Sequence, residues 1–509
     1  MKSLQDQSVL ILGLGASGLA MARWAARCGA RVTVADTRAE PPQLAALREQ
    51  LADARFVSGG FDAALLEEGV QAVFRSPGLS PEQVAPVLTA AKERGLRVAG
   101  ELGLFAEALV DLKGEQDYAP SVLAITGTNG KTTVTALTGQ LVERAGKRTA
   151  VAGNIGPTLL ETLAVKLDAG ELPQVWVIEL SSFQLEGVEN FEPTAATVLN
   201  VTQDHLDWHG TMDAYTAAKS RVFGQTSLMV LNREDPLAMK MLPDPVRVKG
   251  GRFEQRQHIT FGADLPQRPG DFGIEVVNGM AWLVRALEAD ETRRTRSPNA
   301  RKLEVEEIHI QRLMPADALR IRGRHNAVNA LAALALAGAA GCPLGPMLYG
   351  LREYRGEPHR VESVGIVNGI EYFDDSKGTN VGATVAALQG LGAERKLVVI
   401  LGGDGKGQDF APLAAPVARH ARAAVLIGRD APLIRAALEP AGITLLDAES
   451  MEHAVSLATQ RAHAGDAVLM SPACASFDMF RNYPHRAEVF RAAVHAVADE
   501  AGVQLEANQ

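Results

Sequence analysis

A chain of 509 residues is too long for one ordinary core and predicts two to four domains. With 47% hydrophobic and 22% charged residues it has a globular composition. Its 51 Lys and Arg against 60 Asp and Glu leave a net charge of −9, which argues against nucleic acid, since a phosphate backbone calls for a basic surplus.

Cys28, Cys342 and Cys474 are odd in number and far apart, so neither a disulfide framework nor a zinc site is signalled, and a cytoplasmic location is expected. Glycines interrupt the apolar run Val9–Ala26, and its start is barely basic, so it does not read as a signal peptide. No uncharged apolar stretch reaches the roughly 18 residues that would predict a membrane span.

Short Val/Ile/Leu runs alternate with Ala/Leu-rich helical patterns, the βαβ signature of parallel sheets covered by helices. The first group of predicted strands is "SVLILG", "RVTVAD", "ARFVSG" and "AVFRSPG". After the first strand, Gly13-x-Gly15-x-x-Gly18 opens a helix, where unpaired N–H groups and the helix dipole favour a phosphate. Asp36 ends the second strand, placed to meet a ribose. The pattern fits a dinucleotide cofactor, another ribosyl phosphate, or a turn without ligand. The polar stretch "VDLKGEQDYAPS" then reads as a boundary loop.

The second group is "SVLAITG", "TAVAGN", "VWVIEL", "AATVLNV" and "SLMVLN". The first of these runs into Gly127-Thr128-Asn129-Gly130-Lys131-Thr132-Thr133 and a helix, a variant phosphate loop with Ile125 where the usual pattern has glycine. Lys131 is placed to reach terminal phosphates and Thr132 to ligate Mg²⁺. Glu179 ends a buried apolar strand, a costly position unless it binds something. Asp204 and His205 follow another, and His205 reads equally as a ligand or as a satisfied histidine at a strand end. Ala286–Glu307 is charged, lacks apolar periodicity and reads as a solvated surface loop. A helix is predicted over Asn326–Ala340, with Asn326 and Asn329 on one face, as a cap with its neighbour or as ligand contacts.

The third group opens with "ESVGIVNGIEYFDD", a hairpin turning at Asn368-Gly369, and continues with "KLVVILGG", "AAVLIG" and "DAVLMSPA". "YFDDSKGTN" and "GGDGKGQDF" each end a strand in a Gly-marked loop with Asp and Lys, where open α/β sheets bind ligands. The fold class expected is α/β in three domains: Rossmann-like over 1–101, a central ATPase-like domain with a mostly parallel sheet over 102–356, and Rossmann-like over 357–509.

"GTNGKTT", "ELSSFQLE", "HNAVNALAA", "DDSKGTN" and "SPACASFDMF" together resemble the Mur ligase family of peptidoglycan synthesis, from the N-terminus to about Phe490. "GLGASG", "ADTR", "SPG" and the absence of "NPR" point to the branch that adds D-glutamate rather than diaminopimelate or lysine. The resemblance implies an ATP-dependent amide ligase joining D-glutamate to UDP-N-acetylmuramoyl-L-alanine through an acyl phosphate, with Mg²⁺ in two sites and no nucleic-acid or membrane partner. A monomer is expected. By motif match, Gly127, Thr128, Asn129, Gly130, Lys131, Thr132, Thr133, Asn326, Asn329, Arg360 and Asp375 meet ATP. Thr132, Glu179 and His205 are matched as metal ligands, with Lys219, which the family carries as a carbamate. Lys131, His205, Lys219 and Lys377 match catalytic positions. Lys377 and Thr379 lie on the substrate side, and Lys406, Ser476, Phe477 and Tyr483 match the D-glutamate pocket. Ala16, Ser17, Asp36, Thr37, Arg38, Ser76, Gly78 and Asn154 match the uridine-nucleotide end, with Ala16, Ser17 and Tyr483 departing from the family's usual residues. A folate polyglutamate ligase would share the ATP loop but lack the first domain. A dehydrogenase would share the glycine turn, but nothing signals hydride chemistry.

Overall fold

The computed structural model describes residues 4–248, 251, 253–289, 308–393 and 395–505. Three sheets organise it. The first contains β1 (Ser8–Leu12), β2 (Arg31–Asp36), β3 (Arg55–Ser58), β4 (Val70–Arg75) and β5 (Arg97–Ala99), all parallel, in the order β3-β2-β1-β4-β5. The order reverses between β1 and β4, so the loops after these strands open a crevice at their carboxyl ends. Gly13 and Ser76 meet there, the Ser76 hydroxyl donating to the Gly13 carbonyl at 2.9 Å.

The second sheet carries β6 (Ser121–Thr126), β7 (Thr149–Gly153), β8 (Val175–Glu179), β9 (Ala195–Val198), β10 (Leu228–Asn232), β13 (His258–Phe261), β14 (Phe272–Val277), β15 (Met280–Glu288) and β16 (Ile308–Pro315). A separate two-stranded ribbon pairs β11 (Val246–Arg247) with β12 (Phe253–Glu254). The order is β16-β15-β14-β13-β10-β9-β6-β8-β7, parallel except for the antiparallel meander of β14 to β16. Here β6 is the switch, flanked by β8 and β9, and the loops after all three converge. Strands β6 and β8 are buried nearly throughout, which is why they read as unbroken apolar runs.

The third sheet contains β17 (Glu362–Val367), β18 (Ile370–Asp374), β19 (Leu397–Gly402), β20 (Ala421–Ile427), β21 (Thr444–Asp447) and β22 (Ala467–Met470), in the order β17-β18-β22-β19-β20-β21. Only β17 runs antiparallel, joined to β18 by the expected turn at Asn368-Gly369. Because β22 inserts between β18 and β19, the loops after these three strands are neighbours. Among the described residues no helix is long and apolar enough to cross a membrane.

The structure corrects two readings. "VDLKGEQDYAPS" is not loop throughout: its first residues continue the helix Glu101–Gln116, whose Leu102, Phe105 and Leu112 are buried. Ala286–Glu288 belong to β15, because pairing with Ile308–Ile310 of β16 satisfies their backbone despite the polar composition; the rest of that charged stretch beyond Ala289 lies outside the described residues. The helix predicted over Asn326–Ala340 spans Arg324–Ala339.

Two interactions hold the first crevice. A Cβ at Gly18 would collide with the Gly13 carbonyl oxygen, so glycine alone lets the helix start pack on the turn. Asp36 is buried and accepts from the Leu14 N–H at 2.8 Å and from both Nε and Nη2 of Arg38 at 2.8 Å. Burial alone would raise its carboxyl, but these donors prevail and hold it at about 2. Gly18→Ala should therefore destabilise the first domain by about 2–3 kcal/mol in denaturant unfolding. Because the Asp36 pKa is depressed, its stabilisation is present above the unfolded carboxylate range near pH 4 and is lost as pH falls toward 2. It amounts to at most about 2 kcal/mol. Asp36→Asn should lower stability at pH 7 and remove this part of the acid limb.

Candidate active site

The convergence at β6 gathers the central groups. Gly127 and Gly130 take φ of +150° and +82°, and the helix Lys131–Arg144 begins directly on Gly130. A Cβ at Gly130 would meet the Asn329 side-chain oxygen at 2.9 Å, so the loop is pressed against the helix Arg324–Ala339. The Lys131 Nζ folds back over its own loop, donating to the carbonyls of Gly127 at 3.0 Å and Thr128 at 2.8 Å. Burial pushes its amine below the ordinary lysine range. The Thr132 hydroxyl accepts from Arg360 at 2.6 Å, tying the loop to the segment before β17.

Glu179, 1% exposed, ends β8. Its Oε1 accepts from the Asn154 amide at 2.8 Å, while its buried Oε2 has no partner among the described residues. A buried carboxylate oxygen left unpaired is expensive, and here it faces a loop built for phosphates. His205, at the end of the β9 loop, has φ of +53°, and its Nε2 lies 3.7 Å from Asp204 Oδ2. Burial pushes its imidazole down, favouring the neutral form.

Lys219 is buried on the helix Met212–Ser220. Its Nζ donates to the Gly127 carbonyl at 2.9 Å and lies 4.5 Å from the Tyr215 ring centroid. Burial, then Lys131, push its amine well below the usual value, toward a neutral nucleophile. Tyr215 in turn bonds the Thr128 hydroxyl at 3.1 Å.

Across from these stands the third domain. Asn380 and Asn129 exchange side-chain amide hydrogen bonds of 3.2 and 3.1 Å, and Asn380 also reaches Asp204 at 3.4 Å. Lys377 Nζ lies 4.0 Å over the Tyr483 ring, with burial, then Arg360, lowering its amine. Asp375 is buried and accepts from Ser471 at 2.6 Å, and burial lifts its carboxyl to about 7.

One cavity of about 620 Å³ is lined by Thr128–Thr132, Asn154, Glu179, His205, Arg360, Lys377, Thr379, Lys406 and Tyr483. Beside it a smaller cleft of about 110 Å³ is lined by Gly130, Thr133, Asn326, Asn329, Arg360 and Asp375. Within it Asn329 donates to Asn326 at 3.1 Å, and Asn326 to the Arg322 carbonyl at 2.8 Å. Ser476 is buried and Phe477 is 71% exposed, and neither lines the cavity. Ala16, Ser17, Asp36, Thr37, Arg38, Ser76 and Gly78 surround the first crevice instead.

Residues that sequence reasoning passed over also line the cavity, notably Gln203, Gln408 and His359. His359 precedes β17 in a stretch no motif marked, and its position beside Arg360 was the available signal.

Residues 7–100 match the MurD-like N-terminal domain of Mur ligases, 125–337 the Mur ligase middle domain, and 359–474 the Mur ligase glutamate ligase domain. A protein of Albidiferax ferrireducens named UDP-N-acetylmuramoylalanine–D-glutamate ligase is 72% identical over 99% of this chain and 99% of its own length. One of the same name from Burkholderia pseudomallei is 57% identical over 98% of this chain and 99% of its own. Among solved structures, the MurF ligase of Thermotoga maritima in complex with ADP shares the fold, with a TM-score of 0.55 at 15% identity, covering 98% of this chain and 97% of that one. With three domains matched in order and relatives this similar end to end, the chain belongs to the Mur ligase family, whose members are ATP-dependent amide ligases.

Proposed function

We propose that this protein joins D-glutamate to UDP-N-acetylmuramoyl-L-alanine at the expense of ATP, a cytoplasmic step of peptidoglycan precursor synthesis. The observation that carries the reading is the single cavity in which the phosphate loop, Glu179 and His205 face Lys377, Lys406 and Tyr483. The names of relatives that match end to end support the choice of substrates.

The ATP phosphates belong on the Gly127–Thr133 loop, with the base and ribose toward Asn326, Asn329 and Asp375. The uridine end of the substrate belongs in the first crevice, at Ala16, Ser17, Asp36–Arg38, Ser76 and Gly78, with Asn154 further along. An oxygen of the substrate carboxylate attacks the γ-phosphorus, the bridging P–O bond breaks, and ADP leaves. Bringing a carboxylate to a polyanion is an electrostatic problem, and Lys131 and Arg360 supply the opposing charge. The D-glutamate nitrogen then attacks the acyl carbon, and the tetrahedral adduct expels phosphate to leave the amide. Lys406, Thr379 and Tyr483 receive the amino acid, with Ser476 and Phe477 flanking.

The unpaired Glu179 Oε2 fits a hard cation. Thr132, Glu179 and His205 would hold Mg²⁺, which supplies charge neutralisation at the phosphates when bound. Lys219 as a free amine is a poor ligand for so hard a cation. Its depressed basicity leaves a lone pair that can add to CO2, forming a C–N bond and releasing one proton, and the carbamate offers two oxygens.

Phosphate release across a panel of amino acids with the UDP-linked substrate tests the function; equal use of diaminopimelate sinks it. Lys219→Ala should lose at least about 100-fold in kcat and regain part with added short carboxylic acids; full activity would remove it from the site. Lys406→Ala should raise the KM for D-glutamate roughly 30-fold while leaving that for ATP within about twofold. Equal changes for every substrate would contradict its role.

A further inference from the structure

An amino acid arrives at neutral pH as an ammonium, and an ammonium has no lone pair with which to attack. The cavity therefore needs a proton acceptor on the side where the amino acid enters. His359 is built for this. It lines the reaction cavity, and its ring stands edge-on to Tyr483 with centroids 6.0 Å apart. Its Nδ1 lies 2.8 Å from Oδ2 of Asp374, a fully buried carboxylate at the end of β18. Asp374 Oδ1 accepts from the Ser376 N–H at 2.9 Å, and burial is outweighed by His359 and Ser376, which keep the carboxyl below its usual range. An ionised carboxylate only accepts, so in the neutral imidazole the proton sits on Nδ1 and Nε2 keeps its lone pair. Nε2 has no partner among the described residues. The backbone strengthens the arrangement: His359 takes φ of +64°, and its N–H donates to Glu362 Oε2 at 2.8 Å.

His359, Glu362 and Asp374 also lie close enough together to share a cation. Arg491 already occupies that role: its guanidinium pairs with Glu362 and reaches Asp374 at 3.4 Å. The charged and titratable groups around the imidazole are thus Asp374 and Glu362 from the hairpin, Arg491 and Tyr483 from the last helix, and Arg360 and Lys377 from the flanking loops. Lys377 donates its backbone N–H to the His359 carbonyl at 3.2 Å, fixing the two cavity-lining segments together.

We propose that His359, oriented by Asp374, is the general base that deprotonates the incoming amino group. The proposal rests on the ligase reading given above. Nε2 takes one proton from the ammonium, and the freed lone pair forms the C–N bond at the acyl phosphate carbon. The C–O bond to phosphate breaks with its electron pair going to the leaving phosphate. The second nitrogen proton follows to phosphate or water, and His359 returns its proton to solvent. Asp374 is a positioning residue, acting through the imidazole.

Hydroxylamine separates base catalysis from mere structural damage, because it is already an uncharged nucleophile at neutral pH. With the full enzyme, ATP and UDP-N-acetylmuramoyl-L-alanine, hydroxamate formation reports acyl phosphate without needing a base. His359→Gln should lose about 100-fold or more of kcat with D-glutamate, the scale of one general base, yet keep hydroxamate formation within about threefold. Its residual rate with D-glutamate should climb with pH as the amine deprotonates unaided, where the parent enzyme reaches a plateau. Asp374→Asn should show the same split, since an amide leaves Nδ1–H without its acceptor charge. Equal losses with both nucleophiles, or unchanged turnover of D-glutamate, overturn the proposal. A parent enzyme that traps hydroxylamine but ignores D-glutamate instead sinks the substrate reading, and the same comparison with the amino acid it does use then supports the histidine's role if the split appears and overturns it if both losses are equal.

Discussion

The site depends on holding amines in a poorly solvated cavity before any anion arrives. Lys131 and Lys219 are both close to the Gly127 carbonyl, and each loses basicity to burial and to like charge nearby. Backbone carbonyls supply the missing partners: Gly127 serves both amines and Thr128 serves Lys131. Such bonds cost little to exchange for a phosphate oxygen, since a neutral acceptor is weaker than a charged one. The glycines of the loop therefore do two things. They aim N–H groups at phosphates, and they turn carbonyls toward the lysines that wait for them.

The three sheets place this chemistry by one device used three times. At each reversal of strand order the loops after adjacent strands meet around a crevice at the carboxyl ends, lined by their first residues. Asp36 and Ser76 belong to the first such crevice, Lys131, Glu179 and His205 to the second, and Lys377, Lys406 and Ser476 to loops at the third. A substrate that is nucleotide at one end and carboxylate at the other can span the first two while its reactive end meets the third.

How much of this was legible in the sequence follows from burial. Strands covered on both faces, such as β6, β8 and β19, read as apolar runs, and the glycine and lysine loops that follow them announced themselves. The three-residue edge strand β5 begins at Arg97 and has no run to recognise. In the meander, β16 alternates partly exposed Gln and Arg with apolar residues, and its pairing partner supplies order that composition hides. Lys219 was legible only through family resemblance, because its helix looks like a surface helix and its depth comes from Tyr215 and Gly127 packing over it. Ser476 and Phe477 were read together, yet the loop turns one inward and the other into solvent. His359 escaped because its partner Asp374 lies across a hairpin, fifteen residues away in sequence.

Of the four hydrogen bonds that tie the ATP loop and its neighbour Asp204 to the third domain, two join uncharged amides and two involve a charged group. Asn129 and Asn380 exchange two amide hydrogen bonds, Asn380 reaches Asp204, and Arg360 reaches Thr132. Hydrogen bonds of this kind are worth about 0.5–1.5 kcal/mol each, somewhat more where a charge takes part. Bonds this weak suit a site that must admit three substrates and release ADP, phosphate and a longer product. The same four contacts join the segment bearing Lys131 to the segments bearing His359 and Lys377. The groups for phosphate chemistry and those for amine chemistry are therefore held in register by the same few bonds.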